Sequence, residues 1–276
     1  SRRRHTRSFH VTGVQTCALP ISGMLSSEGN EELMEKLLDS PFMHRNLKMT
    51  CLNEYQNKEF AKKFIRNNPQ AFCNSDGVMV SYGLSDVDCI GVSFVLDIIS
   101  ELNKEEAGEA QHKCSDKFVT VQKLELSGSQ LTLSGIQRVC NSLNNEHCLV
   151  SELELFEVYM SDECVDVINR LVERKLTTLS LKYNHITDTG VASLCEALQH
   201  PSCKLTTLTL LDSSNTHTSV ASLCEALQHP SCKLTTLNLG DSSITDTSVA
   251  SLCEALQHPS CELTTLNLGD SSITHT

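Results

Sequence analysis

No Gly is followed by Lys anywhere in the 276 residues. The chain therefore has no G-x-x-x-x-G-K-[ST] loop whose amides could cradle a phosphate, and ATP binding of that kind is excluded. It also has no Trp, no G-x-S-x-G elbow to present a nucleophilic Ser and no H-E-x-x-H helix to hold a catalytic zinc. Its eleven His residues fall near the N-terminus, in a recurring Gln-His-Pro loop, or singly. A zinc set of Cys195, His200 and Cys203 does not have finger spacing. No catalytic residue, cofactor or metal is expected, and the chain is not read as an enzyme. Apolar runs are short as well: the longest, Cys89–Ile99, is interrupted by Ser93 and Asp97, far from the roughly 20 residues that span a bilayer. Positive charge is scarce, with 22 Lys and Arg against 34 Asp and Glu. That balance argues against nucleic acid or an anionic membrane as partner, since both require clustered basic side chains. A basic protein partner is favoured instead.

What the chain does have is a 29-residue unit repeated almost letter for letter. LTTLSLKYNHITDTGVASLCEALQHPSCK begins at Leu176, and copies begin at Leu205, Leu234 and Leu263, each 29 residues after the last. A fixed period of this size marks a solenoid, in which each unit contacts only its neighbours. Leu176, Leu179 and Leu181 give the L-x-x-L-x-L run of a short strand, with Asn184 and Ile186 at the following positions of a leucine-rich repeat. Val191, Leu194, Cys195 and Leu198 then recur at i, i+3, i+4 and i+7, one face of a helix. Asp188 and Thr189 suit the helix start, and His200 and Pro201 its end. Weaker copies start at Val121 and Val150.

The fourteen cysteines follow the same period. Cys195, Cys224 and Cys253 fall on the helical stripe; Cys203, Cys232 and Cys261 sit just before the next strand. Recurrence at every period points to packing, since a free thiol behaves as a small hydrophobe. Reduced thiols and a cytoplasmic location are expected.

The strand–helix unit with its LCEALQHPSCKL return resembles the ribonuclease-inhibitor subfamily of leucine-rich repeats. The resemblance implies an α/β horseshoe with parallel strands on the concave face and helices on the convex face. The repeats are placed at residues 121–149, 150–175, 176–204, 205–233, 234–262 and, in part, 263–276. Residues 22–120 read as a small helical, non-repetitive region, with an acidic linker at about 101–116. Its segments TCLNEYQNKEFAKKFI and GLSDVDCIGVSFVLDII resemble the junction between the nucleotide-binding module and the repeats of NACHT-type (NOD-like) innate immune receptors. The resemblance implies a ligand-sensing or autoinhibitory interaction module, here a fragment whose NACHT module is missing. The alternative is a stand-alone protein resembling ribonuclease inhibitor that grips a basic nuclease through Glu125, Glu152 and Glu154.

The N-terminus is read differently. Arg2, Arg3, Arg4 and Arg7 precede an apolar stretch in the manner of a signal peptide. However, VTGVQTCALPI (residues 11–21) reads as the translation of a short-read sequencing adapter. Residues 1–21 are therefore expected to be an assembly artefact outside the fold. Without their four Arg the charge is 18 − 34 = −16.

Residues flanking the buried strand leucines must point away from the core. The candidate protein-binding face is thus Lys123, Glu125, Glu152, Glu154, Phe156, Ser180, Lys182, Thr209 and Leu211, acid beside an aromatic in the first two strands. Ser213, Ser242 and Ser271 replace Asn184 in later copies, which is expected to break an asparagine ladder. Asn215 replaces a core aliphatic and should weaken its repeat.

Overall fold

The computed structural model describes residues 13–109, 120–211, 217–240 and 245–269. Four helices come first: α1 (Gly13–Glu28), α2 (Glu31–Leu38), α3 (Arg45–Tyr55) and α4 (Lys58–Asn67), then a 3-10 turn at Pro69–Ala71. Strand and helix alternate from there: β1 (Val78–Tyr82), α5 (Asp88–Glu109), β2 (Lys123–Ser127), α6 (Leu133–Leu143), β3 (Glu152–Phe156), α7 (Asp162–Val172), β4 (Thr178–Ser180), α8 (Asp188–Leu198), β5 (Thr207–Thr209), α9 (His217–Gln228), β6 (Thr236–Asn238), α10 (Asp246–Leu256) and β7 (Thr265–Asn267).

The seven strands form one parallel sheet in chain order. Leu124, Leu153, Leu179, Leu208, Leu237 and Leu266 lie opposite one another, strand by strand, and all but Leu266 are buried. The helices pack in the same succession on one side of the sheet. Parallel strands sit about 4.8 Å apart and packed helices about 8–10 Å apart. A stack of such units must bend, with the strands on the inside.

Two ladders join neighbouring units. Thr177, Thr206, Thr235 and Thr264, the first Thr of each Leu-Thr-Thr, donate their hydroxyls to the carbonyls of Ser151, Thr177, Thr206 and Thr235 at 3.1–3.2 Å. This explains why that Thr persists through the copies. The second ladder runs between helix starts. Asp162 Oδ1 accepts from the Thr187 amide at 3.0 Å and Oδ2 from its hydroxyl, and Asp86 does the same for Thr132. Asp188 accepts from the Ser219 hydroxyl in the next unit. The start of α8 is capped by Thr187, not by Asp188 or Thr189. Gly190 makes room for this ladder: a Cβ there would stand 2.5 Å from Asp162 Oδ1 and 2.7 Å from Ile186 Cγ2.

Several expectations are corrected. The repeats begin before Val121, because Val78–Tyr82 pairs in register with β2 and α5 packs against α6. Only Met79 and Ser81 of β1 point inward, so the leucine signature is missing. The spacing from Val78 to Lys123 is 45 residues rather than 29, which hides the period. The acidic stretch is not all linker. Residues 101–109 continue α5, and Glu101 and Glu105 clasp Lys58, Lys62 and Arg66 of α4 at 2.7–3.2 Å; residues 110–116 lie outside the described residues. Gly91 on α5 lets that helix approach the α3 backbone, since a Cβ would lie 2.6 Å from the Thr50 amide nitrogen.

The N-terminal reading also differs from the structure, in which α1 starts at Gly13. Ala18, Ser22 and Leu25, spaced i, i+4 and i+7, are buried on the side that packs against α3, where Ser22 meets Cys51. Small side chains on that stripe permit a close approach although Pro20 lacks the N–H to continue the ladder. Residues 1–12 lie outside the described residues. Cys195, Cys203, Cys224 and Cys232 are buried, but Cys253 is exposed and Cys261 half-buried. No described helix follows α10 to cover them. Ser213, Asn215, Ser242 and Ser271 lie outside the described residues.

Candidate functional site

The outward side chains of β2 and β3 alternate with buried leucines, as a pleated strand requires. Lys123, Glu125, Glu152, Glu154 and Phe156 are half-buried on the strand face away from the helices, together with Lys182 and Leu211 just beyond β4 and β5. Ser180 and Thr209 differ from expectation: both are buried. They are short, and in register they stand between Glu154 and Asn238, whose longer side chains overtop them. The Ser180 hydroxyl is buried without a hydrogen-bond partner.

The charged residues form one chain across three strands. Lys123 Nζ lies 2.6 Å from Glu125 Oε1 and 3.0 Å from Glu154 Oε2, and Lys182 Nζ lies 3.3 Å from Glu154 Oε1. Burial pushes the Glu154 carboxyl up, but the hydrogen bond and charge of Lys123, with those of Lys182, outweigh it and hold the group below its usual range. Lys123 is pushed down by burial and raised further by its bonds to Glu125 and Glu154. Both groups stay charged at neutral pH. Glu152 and Glu157 form no ion pair with any described residue, so 4 − 2 = 2 negative charges are left over among Glu125, Glu152, Glu154, Glu157, Lys123 and Lys182.

An aromatic edge borders this chain at the C-terminal ends of the strands. Phe156 meets Tyr183 edge-to-face at 5.2 Å, and Tyr159 lies 5.9 Å from His185. Tyr82 is 68% exposed, in register with Ser127 and so with Phe156. Tyr82 was not legible because β1 lacks the leucine signature, and Tyr159 and Tyr183 because they fall in loops. Glu157, Tyr159 and Tyr183 hold φ of 51°, 58° and 55°, a left-handed backbone that costs a non-glycine residue about 1 kcal/mol or more.

Asn184 holds these loops in place. Fully buried, it donates from Nδ2 to the carbonyls of Leu155 and Lys182 at 2.8 and 3.2 Å and accepts the Val158 amide at Oδ1, 3.0 Å away. The Gln-His-Pro loops have a local role too. His200, His229 and His258 each accept the amide of the residue two further on, at 3.2 Å. Among the described residues, no three His, Cys, Asp or Glu side chains group so as to hold a metal ion.

Residues 173–195 and 231–253 match the family model described as "Leucine Rich repeat". These are leucine-rich repeats. The solenoid that they build is similar in sequence to receptors that carry the same repeats. NACHT, LRR and PYD domains-containing protein 9B of Mus musculus is 38% identical over 82 residues, 29% of this chain and 8% of that protein. Protein 9 of the same series in Bos taurus is 40% identical over 83 residues, again 29% and 8%. Protein 14 of Homo sapiens is 38% identical over 85 residues, 30% of this chain and 8% of its own length. The leucine-rich-repeat chain thus matches less than a tenth of the length of these relatives. An internalin from Listeria monocytogenes, 15% identical, covers 76% of this chain and 84% of its own with a TM-score of 0.19, too low to carry the fold, which stands on its strand register. No helix among the described residues is long and apolar enough to cross a membrane.

Proposed function

We propose that the strand face of β2–β5 recognises a protein partner, and that the chain serves as the ligand-sensing or autoinhibitory, non-enzymatic part of a cytosolic NOD-like receptor. The observation that carries this reading is Phe156, packed on Tyr183 at the end of a strand face on which Glu152 and the adjoining Glu157 have no ion-pair partner among the described residues. An aromatic anchor on a charged face with a surplus of two negative charges suits a basic protein partner. The similarity to NACHT, LRR and PYD proteins supports an intramolecular NACHT module as that partner. Of the twelve cysteines whose side chains are described, ten are buried and all are unpaired, which supports a reducing compartment.

The test is binding of the purified chain to the isolated NACHT module of a mouse or human relative, measured calorimetrically. The double variant Glu152→Lys, Glu157→Lys leaves the Glu125–Lys123–Glu154–Lys182 chain in place, so the solenoid should stay intact. Binding should weaken at least about tenfold in the variant; equal affinity for both, or none for either, contradicts the reading. The same carboxylates favour a basic nuclease as the alternative partner. In that case the chain inhibits a pancreatic-type ribonuclease at micromolar concentration and the double variant does not.

A further inference from the structure

On the helical side of the solenoid, between the end of α6 and helices α7 and α8, lies a cleft of about 510 Å³. Its floor departs from the repeat. The helix position held by Cys140, Cys195, Cys224 and Cys253, buried in the first three, is Asn169 in this unit. Around it Asp166, Arg170 and Arg174 stand where the next unit has Ala192, Glu196 and His200. All four departures line the cleft. A change of one residue is drift; a polar amide in place of a buried thiol, with Asp166 for Ala, Arg174 for His and Arg170 reversing a Glu on the same surface, builds a site.

The orientation of Asn169 follows from its neighbours. Ser193 Oγ donates to Asp166 Oδ1 at 2.5 Å, and a carboxylate can only accept. The hydroxyl must therefore accept from Asn169, so the atom 2.8 Å away is the donor Nδ2. That leaves Oδ1 as a buried acceptor with no partner, in a side chain more than nine-tenths buried. A buried, unmatched acceptor persists at a cost unless something donates to it. Above it, the guanidinium groups of Arg170 and Arg174 form no ion pair with any described residue. Glu173 and Glu196 complete the acidic part of the lining.

We infer that this cleft binds a small peptide-like zwitterion whose ammonium group donates to Asn169 Oδ1 beside Asp166 and whose carboxylate is held by Arg170 and Arg174. The volume lies within the range of small-molecule sites, about 300–1,000 Å³, and accommodates a short peptide. The charges are matched at both ends: carboxylate and amide oxygen for the cation, an Arg pair for the anion. The site is on the opposite side of the solenoid from the strand face and does not depend on the function proposed for that face.

The test is titration of the ¹⁵N-labelled full chain with alanylalanine, following the Asn169 side-chain amide pair and the Ser193 backbone amide by NMR. N-acetyl-alanylalanine and alanylalanine amide, which lack one charge each, form the other two arms. The free dipeptide should give a saturable shift, with half-saturation at least about tenfold lower than either blocked form. Asn169→Cys restores the repeating residue, should fold, and should abolish the Ser193 response. Arg170→Gln with Arg174→Gln, at exposed positions, should weaken the free dipeptide about tenfold and leave the amidated form unchanged. No saturable shift by about 10 mM, equal affinity for the three forms, or undiminished binding in either variant overturns the inference. If Asn169→Cys fails to fold, the arginine variant decides alone.

Discussion

Replacing Asn184 by Ala tests how the loops that carry the aromatic edge are held. The substitution removes three hydrogen bonds and leaves the Val158 amide, buried beneath the loop, without its acceptor. An orphaned buried N–H costs about 1–3 kcal/mol, and the lost bond to Leu155 adds about 0.5–1.5 kcal/mol. The sum, about 1.5–4.5 kcal/mol, is local to the turn after β3. Repeat arrays do not always unfold in one step, so a global melting curve is a poor reporter. Hydrogen exchange at Val158 reads the effect directly. Its protection should fall by about ten- to two-thousand-fold if local opening governs exchange, while amides in α9 and α10 keep theirs. Asn184→Asp, which retains the acceptor but not the donor, should preserve most of the Val158 protection. Unchanged protection in Asn184→Ala would refute the claim that this side chain pins the loop.

Three further outcomes are expected. Gly190→Ala forces a Cβ against Asp162 and Ile186; it should destabilise by about 1–3 kcal/mol in denaturant titration, and a gain in stability from the better helix former would contradict the inter-repeat ladder. The carboxyls of Glu105 and Glu101 are held below their usual range, in each case chiefly by a lysine hydrogen bond, Lys62 and Lys58 respectively. Their contribution is present above the unfolded value of about 4.3 and is lost as pH falls below it toward the lower folded values, so the α4–α5 contact should loosen below about pH 4.3. A Lys58→Met, Lys62→Met chain should lose most of that acid sensitivity, as read by exchange in α4. Burial pushes the thiols of Cys140 and Cys195 up to about 12. Alkylation at pH 8 followed by peptide mass spectrometry should therefore modify exposed Cys253 before Cys140 and Cys195 and leave those two intact; the reverse order would contradict the packing of α6–α8.

The repeats were legible because their period is strict. Leu179, Leu208 and Leu237 are spaced 29 apart, and the structure places them in register and buried. The first unit was not legible, since Ser81 stands where a strand leucine belongs and a long α5 stretches the interval. Glu101 and Glu105 read as linker from charge alone; their helix depends on lysines and an arginine some 40 residues upstream, which no local pattern reveals. Within the candidate surface, alternation correctly set Lys123, Glu125, Glu152 and Glu154 outward. It could not show that Ser180 and Thr209 are too short to reach solvent between taller neighbours. Asn169 was visible only by aligning α7 with its copies and asking why one buried Cys position is an amide.

The proposed recognition face requires Lys123, Glu152, Thr178, Thr207 and Thr236 to form one in-register row across five adjacent parallel strands. Spin labels at positions 123 and 236 of the intact chain test this directly by pulsed dipolar spectroscopy. Four strand spacings of about 4.8 Å place the two backbones roughly 19 Å apart, so a single narrow distribution close to about 20 Å is expected. A broad distribution, or one centred beyond about 30 Å, would mean that the units do not stack in register and that the proposed recognition face is not assembled.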